Sequence, residues 1–202
     1  ACQTYGIHPP IFLDYLDGQL TIVNQGQAVG KLVRLIRRLK PQVLITFGPD
    51  GIYGHYDHLA VHRWATAAAE LAADPDCFPD RDACATHQVS KLYYRVLAEE
   101  ALAARLSSGQ RPAVMMDGVP FPFVARPLAE ITTVIDVSEY VERKRQGILC
   151  HATQVGPDSR YAQAPGEVLD DPWFRQETFV LARSTVGQPQ GVETDLLAGL
   201  RP

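Results

Sequence analysis

Residues 43–58 read VLITFGPDGIYGHYDH, and this stretch decides the fold. Its first five residues form a nearly continuous apolar run, which is typical of a strand covered on both faces in a parallel sheet. A glycine-rich turn follows, and the next segment opens with His55 and His58. The two histidines are three residues apart and share one face of the helix that the pattern predicts. Open α/β sheets bind ligands at the carboxyl ends of their strands, so the histidine pair is expected at such an opening.

Strand and helix signals alternate on both sides of this stretch. A helix is predicted from the cap Asn24 to about Lys40, where Pro41 ends it. The alternation predicts an α/β fold with a largely parallel sheet, helices on both faces and a single domain. Further strands are predicted at 10–16, 91–97, 131–137 and 177–182, and further helices at 55–73, 98–107 and 138–151.

Residues 1–185 are expected to form that domain. Residues 186–202 are predicted to be a loosely packed C-terminal tail with a short helix at 193–200, because glycine and proline are frequent in them. The loops at 75–89 and 108–127 are expected to shape a substrate pocket. Four aromatic residues near these loops are candidates for stacking on a sugar ring, although ordinary packing is favoured: Tyr56, Phe121, Phe123 and Trp173.

The composition fits a soluble globular protein. The chain has 202 residues, of which 46% are hydrophobic and 21% are charged, enough for a sizeable core. The formal charge is −4 and no basic patch stands out, which argues against a nucleic-acid partner. The cationic stretch 31–40 has its charges at helical spacing, as on a solvated helix face. No run of about 18 apolar residues occurs, so no membrane span is predicted.

The cysteines form no Cys-x-x-Cys pair; they are Cys2, Cys77, Cys84 and Cys150. Cys77 and Cys84 flank a loop and are candidates for a disulfide, but reduced thiols are favoured in a chain of this size. No signal peptide is visible, although the chain begins with Ala1. A cytoplasmic protein is therefore expected, and its oligomeric state is left open, with a homo-oligomer among the alternatives.

The histidine pair allows two interpretations. Imidazole is the commonest metal ligand in proteins, and a neighbouring carboxylate such as Asp57 orients a ligating ring. A catalytic zinc site usually has three protein ligands. A site made of His55, His58 and His62 would be unusual, because all three come from two turns of one helix. Histidines at this spacing also occur as partly buried polar residues, and this structural role is favoured for His62.

Residues 45–58 resemble the signature of the LmbE-like (PIG-L) N-acetylglucosaminyl deacetylase family. The family pattern is apolar-Thr-Phe-x-Pro-Asp-Gly-x-Tyr-Gly-His-Pro-Asp-His, and the chain departs from it at Tyr56, where the family usually has proline. Residues 12–18 are similar to the family's strand ending in Asp-Gly, residues 144–154 to its late helix end, and residues 177–179 to its Glu-x-Phe strand. The resemblance implies a Rossmann-like fold and zinc-dependent hydrolysis of an amide on an N-acetyl amino sugar.

The resemblance also implies roles for single residues. His58 would be the third zinc ligand, and His55 would face the substrate, stabilising the oxyanion or protonating the leaving amine. Asp57 would position His55 and tune its pKa. Tyr53 would hydrogen-bond the tetrahedral intermediate, and Asp17 would bind sugar hydroxyl groups at the rim of the site.

The family's other two zinc ligands and its general base lie in an N-terminal His-Pro-Asp-Asp-Glu motif, which this sequence does not contain. The nearest similarity is His8-Pro9-Pro10, and no aspartate follows it. The expectation is therefore that the first part of the family fold is absent from these 202 residues.

Two functions from different classes follow. The first is a zinc-dependent hydrolase that removes an acetyl group from an N-acetylglucosamine-type conjugate, with iron(II) as an alternative metal. The second is a catalytically inactive homologue or fragment that serves as a sugar-binding or interaction module. A nucleotide-binding domain is a weaker alternative, because no Gly-x-Gly-x-x-Gly or Gly-Lys-Ser/Thr loop occurs.

Overall fold

The computed structural model describes residues 1–79 and 84–201, without the side chain of Trp173. The helices are α1 Cys2–Tyr5, α2 Gln25–Leu39, α3 Gly51–Gly54, α4 Tyr56–Leu71, α5 Glu99–Ser107, α6 Val141–Leu149, α7 Arg160–Gln163, α8 Pro165–Asp170 and α9 Pro172–Arg175. The strands are β1 Val43–Phe47, β2 Lys91–Ala98, β3 Ala113–Met116, β4 Val119–Pro122, β5 Ala125–Arg126, β6 Thr133–Asp136 and β7 Gln176–Ser184. Short 3₁₀ helices occupy Leu20–Ile22, Leu128–Glu130 and Ser138–Tyr140.

The main sheet has the strand order β1-β2-β7-β6, with β5 paired to the end of β2. The β1–β2 and β2–β5 pairs are parallel, whereas β7 is antiparallel to both β2 and β6. In the described part of the chain, β7 alone runs against the common direction of the other strands of this sheet. The predicted α/β fold with a largely parallel sheet is confirmed. A separate hairpin of β3 and β4 completes the structure.

Helices α2 and α4 cover one face of the sheet. Asn24 caps α2 as predicted, because its side chain accepts a hydrogen bond from the Gln27 amide. The apolar side of α2 packs with α4 and with Leu92 of β2 in one buried cluster. The next residue along β2, Tyr93, points to the opposite face and packs in a second cluster with residues of β7. This alternation follows from the two-residue period of a strand.

The strand predicted at residues 10–16 is wrong, because residues 7–16 form neither a strand nor a helix. Asp14 has φ 60°, a left-handed conformation that interrupts an extended chain. The carbonyl group of Leu13 accepts a hydrogen bond from the Lys31 side chain, and the Tyr15 ring packs against Trp64. The segment is thus held by side chains of α2 and α4 rather than by a ladder of main-chain bonds.

Strand β1 lies at the edge of the sheet in the described part of the chain. Two apolar grooves of 580 and 480 Å³ lie beside it, and Leu32, Leu44 and Ala65 line both of them. Ile45 is 46% exposed although it lies in the middle of β1. The edge therefore exposes apolar side chains together with main-chain N–H and C=O groups that are not hydrogen-bonded to another described strand.

The C-terminal tail is bound to the sheet through Glu193. The main chain of Glu193 forms hydrogen bonds with Val134 of β6 and with Thr132, which precedes that strand. Its carboxylate accepts hydrogen bonds from three side chains of the sheet: Lys91, Tyr93 and Thr133. The prediction of loose packing is therefore wrong at Glu193, and turns rather than a helix occupy residues 196–200.

Candidate active site

The site is built on a strained turn that follows β1. Gly51 and Gly54 have φ 61° and 73°, values that favour glycine. Ile52 between them has φ 69° and ψ −38°, a conformation that costs a β-branched residue about 1–3 kcal/mol. A Cβ atom at Gly51 would lie 3.0 Å from the Cβ atom of His58. The turn therefore brings the main chain close to the first turn of α4.

Three interactions hold Ile52 in this conformation. Its amide group donates to Oδ1 of Asp50 at 2.7 Å, and its carbonyl group accepts from the amide of Val124 at 2.7 Å. The other carboxylate oxygen of Asp50 accepts from the Arg126 guanidinium at 2.7 Å. Segment 124–126, which contains β5, thus binds the turn through the Val124 amide and the Arg126 side chain.

His55 adopts a defined tautomer, because its Nδ1 atom accepts a hydrogen bond from the Asp57 amide at 3.1 Å. A backbone amide can only donate, so the proton of the neutral ring lies on Nε2. This bond also caps the N-terminus of α4. The free Nε2–H group is a donor that an incoming carbonyl oxygen can accept from.

His58 adopts the opposite tautomer. Its Nδ1 atom lies 3.0 Å from the carbonyl oxygen of Gly51, which can only accept, so the proton lies on Nδ1 and Nε2 keeps a lone pair. The ring stacks on Phe47 with centroids 3.9 Å apart. Burial is the largest cause that lowers the pKa of His58 below its ordinary value, so the imidazole is neutral at pH 7.

The two rings lie side by side, with centroids 5.0 Å apart. The site therefore offers a donor on one imidazole and an acceptor on the other. His62, one turn further along α4, forms a hydrogen bond through Nδ1 with the Phe47 carbonyl and contacts the Tyr94 ring. This contact with the end of β1 fits the structural role that the sequence favoured for His62.

Asp57 connects α4 to the turn that carries Asp17. The Asp57 carboxylate is buried and accepts from the amides of Gly18 at 2.6 Å and Leu20 at 3.0 Å. It lies in the first turn of α4, where a negative charge is stabilised by the helix dipole. The link from Asp57 to the His55 ring runs through the main-chain amide of Asp57 and not through its carboxylate.

Tyr53 lies across both histidines. Its ring is edge-on to His58 at 4.9 Å and to His55 at 6.0 Å, and it also contacts Phe123 at 5.9 Å. Burial raises the pKa of the Tyr53 hydroxyl, and the negative charge of Asp17 raises it further, so Tyr53 remains a donor at neutral pH. The exposed Asp17 thus acts electrostatically on the site that its turn borders.

Two aromatic residues of the 108–127 segment pack on the motif. Phe123 contacts Tyr53, and Phe121 lies edge-on to the exposed Tyr56 at 5.7 Å. The fourth aromatic candidate, Trp173, has a side chain outside the described part of the structure. The segment therefore forms one wall beside the histidine pair.

Comparison with known proteins matches residues 1–69 to the family model PIG-L, GlcNAc-PI de-N-acetylase. Residues 1–69 belong to the PIG-L family. Two relatives, from Streptomyces griseus and Streptomyces avermitilis, are each named 1D-myo-inositol 2-acetamido-2-deoxy-alpha-D-glucopyranoside deacetylase and are 39% identical over 92% of this chain. A mycothiol S-conjugate amidase from Streptomyces coelicolor is 28% identical over 92% of the chain. The chain spans 58%, 63% and 64% of the lengths of these three relatives, respectively.

Two solved structures share the fold. A conserved protein from Thermus thermophilus superposes with a TM-score of 0.58 at 20% identity, covering 94% of this chain and 73% of that protein. The 4-carboxy-2-hydroxymuconate hydratase GalB from Pseudomonas putida gives a TM-score of 0.55 at 14% identity, over 94% of this chain and 71% of that one. At these identities the two structures support the fold alone.

The PIG-L segment fits a metal ion at one ligand position. The Nδ1–H group of His58 is fixed by a carbonyl oxygen and its Nε2 lone pair is free, which is how ligating histidines are usually oriented. Across residues 1–79 and 84–201, no three His, Cys, Asp or Glu side chains come together as a ligand set. His58 thus suits a metal in type, but the described residues do not complete the three protein ligands of a catalytic zinc site.

Further polar contacts near the PIG-L segment had no signal in the sequence. Arg126 and Asp50 are 76 residues apart, and neither belongs to a local pattern that predicts an ion pair. The Glu177 carboxylate binds Lys144 at 2.5 Å and Arg95 at 2.7 Å. The two late regions that resembled the family are thus joined in space by one ion-pair network.

No helix within residues 1–79 and 84–201 is both long and apolar enough to cross a bilayer. Cys77 and Cys84, the candidates for a disulfide, are free thiols, as are the other two cysteines.

Proposed function

We propose that this site takes part in hydrolysis of the acetamide group of an N-acetylglucosamine-type conjugate, in a zinc-dependent reaction. The relatives named deacetylases support the reaction class, since they are 39% identical over most of the chain. The name of the amidase relative also denotes cleavage of an amide bond, which supports amide hydrolysis as the shared chemistry.

The opposite tautomers of His55 and His58 carry the proposal. Amide hydrolysis needs a hydrogen-bond donor for the developing oxyanion or the leaving amine. In a zinc-dependent reaction it also needs a separate group that binds the metal ion beside the nucleophilic water. The Nε2–H group of His55 supplies the donor, and the free Nε2 atom of His58 supplies a metal ligand. The chemistry that a bound zinc ion supplies is Lewis acidity towards water and the acyl oxygen.

The other residues bind and orient the substrate. The protonated hydroxyl of Tyr53 donates to the tetrahedral oxygen from a position beside both histidines. The exposed carboxylate of Asp17 accepts hydrogen bonds from sugar hydroxyl groups. The ring of Phe123 packs against Tyr53 and keeps water from that side. The Nε2–H group of His55 donates a hydrogen bond to the oxygen of the acetamide as negative charge develops on it.

The test measures acetate released from N-acetylglucosaminyl inositol by the full chain in the presence of zinc. We expect His55→Ala to reduce the rate by about 100-fold, because the loss of one donor to the developing oxyanion costs about 10²–10³-fold. His58→Ala should abolish both zinc binding and acetate release. His62→Ala is the matched control on the same helix, and it should leave the zinc content unchanged. A wild-type chain that releases no acetate and retains no zinc would contradict the proposal.

A sugar-binding module is the second candidate. It is supported by the lack of a complete ligand set among residues 1–79 and 84–201. Calorimetric titration with the same conjugate separates the two candidates. If the conjugate binds at saturating zinc but no acetate is released, the protein is a sugar-binding module. If the conjugate binds and acetate is released, the protein is a hydrolase.

A further inference from the structure

One peptide group connects a remote ion pair to the imidazole of His58. The carbonyl of Gly51 and the amide of Ile52 belong to the same planar unit, so they point in opposite directions. The amide donates to Asp50 at 2.7 Å, and the carbonyl accepts from Nδ1 of His58 at 3.0 Å. The Asp50 carboxylate therefore fixes the direction in which this carbonyl points.

Arg126 in turn fixes the carboxylate of Asp50. Its guanidinium donates to Oδ2 at 2.7 Å, and the Asp50 side chain is only 10% exposed. A charge-assisted bond of this kind is shorter and stronger than a neutral one. The charge on the carboxylate also polarises the peptide group, which makes the Gly51 carbonyl a better acceptor.

The strained conformation of Ile52 makes this support necessary. A β-branched residue with φ 69° does not remain there without contacts that force it. The bond from the Val124 amide holds the carbonyl of Ile52, and Arg126 lies two residues after Val124. The same segment therefore holds both peptide groups that flank Ile52.

We propose that Arg126 is a positioning residue that acts through Asp50 and the Gly51–Ile52 peptide to keep His58 as the Nδ1–H tautomer. The Nε2 lone pair of His58 then faces the site at neutral pH. The importance of that lone pair for catalysis rests on the proposed function. The tautomer itself does not, so it is measured separately.

The experiment is a long-range ¹H–¹⁵N spectrum of the ¹⁵N-histidine-labelled full chain at pH 7, which reports the proton position on each ring. We expect Arg126→Gln to change His58 from mainly Nδ1–H to comparable populations of both tautomers. His62, whose Nδ1 atom faces the Phe47 carbonyl, is the internal control and should not change. Arg126→Lys should restore much of the wild-type spectrum, because it keeps a cation beside Asp50.

Glu130→Gln is the matched control for loss of an ion pair, since Glu130 is the exposed second partner of Arg126. It should leave both histidines unchanged. If Arg126→Gln keeps the His62 signals and leaves His58 as Nδ1–H, the proposal is overturned. If Arg126→Gln does not fold, Asp50→Asn decides in its place: a changed tautomer at His58 with unchanged His62 signals supports the proposal, and an unchanged His58 overturns it.

Activity provides a second readout that separates the two proposals. Partners of this kind change metal affinity or activity by about 10–100-fold, so Arg126→Gln should lower kcat by about tenfold with little change in KM. If the wild-type chain has no activity, the proposed function is overturned but the role of Arg126 is not. The tautomer measurement then still decides the role of Arg126.

Discussion

At the scale of single residues, the buried carboxylate of Asp57 holds together parts of the site that are far apart in the sequence. It accepts hydrogen bonds from the main-chain amides of Gly18 and Leu20, which lie 39 and 37 residues away in the sequence. Hydrogen bonds from amides to a carboxylate are stronger than neutral ones. The position of Asp17, next to Gly18, depends on these bonds.

We expect Asp57→Asn to lower the free energy of unfolding by about 1–3 kcal/mol, because one of the two amides loses its acceptor. The loosened turn should also weaken binding of an amino sugar conjugate through Asp17. Urea unfolding and calorimetric titration measure the two effects. Asp158→Asn is the control at an exposed position and should change stability by less than about 0.5 kcal/mol. Equal stability of both variants would contradict the expectation.

Gly147 gives a second test at the residue scale. A Cβ atom at this position in α6 would lie 2.0 Å from the hydroxyl oxygen of Tyr5. We expect Gly147→Ala to displace Tyr5 and to cost about 1–3 kcal/mol, as overpacking usually does. Gly156→Ala is the matched control, since nothing lies within 4 Å of its Cβ position.

Urea unfolding compares the two glycine variants. The double variant Tyr5→Ala/Gly147→Ala should lose less stability than the sum of its single changes, because the clash is gone. Additive losses would indicate that Tyr5 is not the cause.

At the scale of elements, a buried ion pair fastens the tail to the middle of the sheet. The side chains of Lys91 and Glu193 are 1% and 8% exposed, and Tyr93 and Thr133 supply further hydrogen bonds to the carboxylate. Burial alone would raise the pKa of Glu193, but the hydrogen bond from Lys91 and those from its neighbours outweigh it. The pKa of Glu193 is therefore below its ordinary value.

This direction fixes the pH dependence of the contribution of Glu193 to stability. A carboxylate whose pKa is lowered on folding stabilises the protein above its unfolded pKa of about 4.3. This contribution to stability is lost as the pH falls through the pKa of Glu193 in the folded protein.

We expect Glu193→Gln to lower the free energy of unfolding at pH 7 by about 3–5 kcal/mol, because Lys91 stays buried without its counter-charge. The difference from the wild type should shrink as the pH falls below about 4, because the contribution of the wild-type carboxylate is lost between its unfolded pKa and its lower folded pKa. Urea unfolding between pH 3 and pH 7 measures the trend. Glu139→Gln, at an exposed position, is the control. A difference that stays constant with pH would contradict the assignment.

At the scale of the whole molecule, the sequence predicted what local signals determine. Asn24 marks the start of α2, the apolar run marks β1, and the histidine pair marks the start of α4. The strand expected at 10–16 fails because Asp14 turns the chain, which no apolar pattern reveals. Glu193 has its partner Lys91 at a distance of 102 residues, so no local pattern around Glu193 indicated this ion pair.

The edge of β1, which no described strand pairs, should influence how whole molecules associate. An exposed apolar edge strand is a template for pairing with another chain, and a lysine on such an edge prevents it. We expect Ile45→Lys to reduce concentration-dependent association in sedimentation velocity with little loss of stability. Ile22→Lys is the control, because Ile22 is 79% exposed but lies outside the sheet. Equal effects of both variants would show that general charge, and not the edge, is responsible.

The ion pair between Lys91 and Glu193 also constrains how the chain is made. Its partners are separated by 102 residues, which a ribosome adds in about 5–20 s at roughly 5–20 residues per second. During that interval the residues of β2 have been synthesised, but the counter-charge of the buried Lys91 has not. We therefore expect the pair, and with it the completed centre of the sheet, to form late in folding.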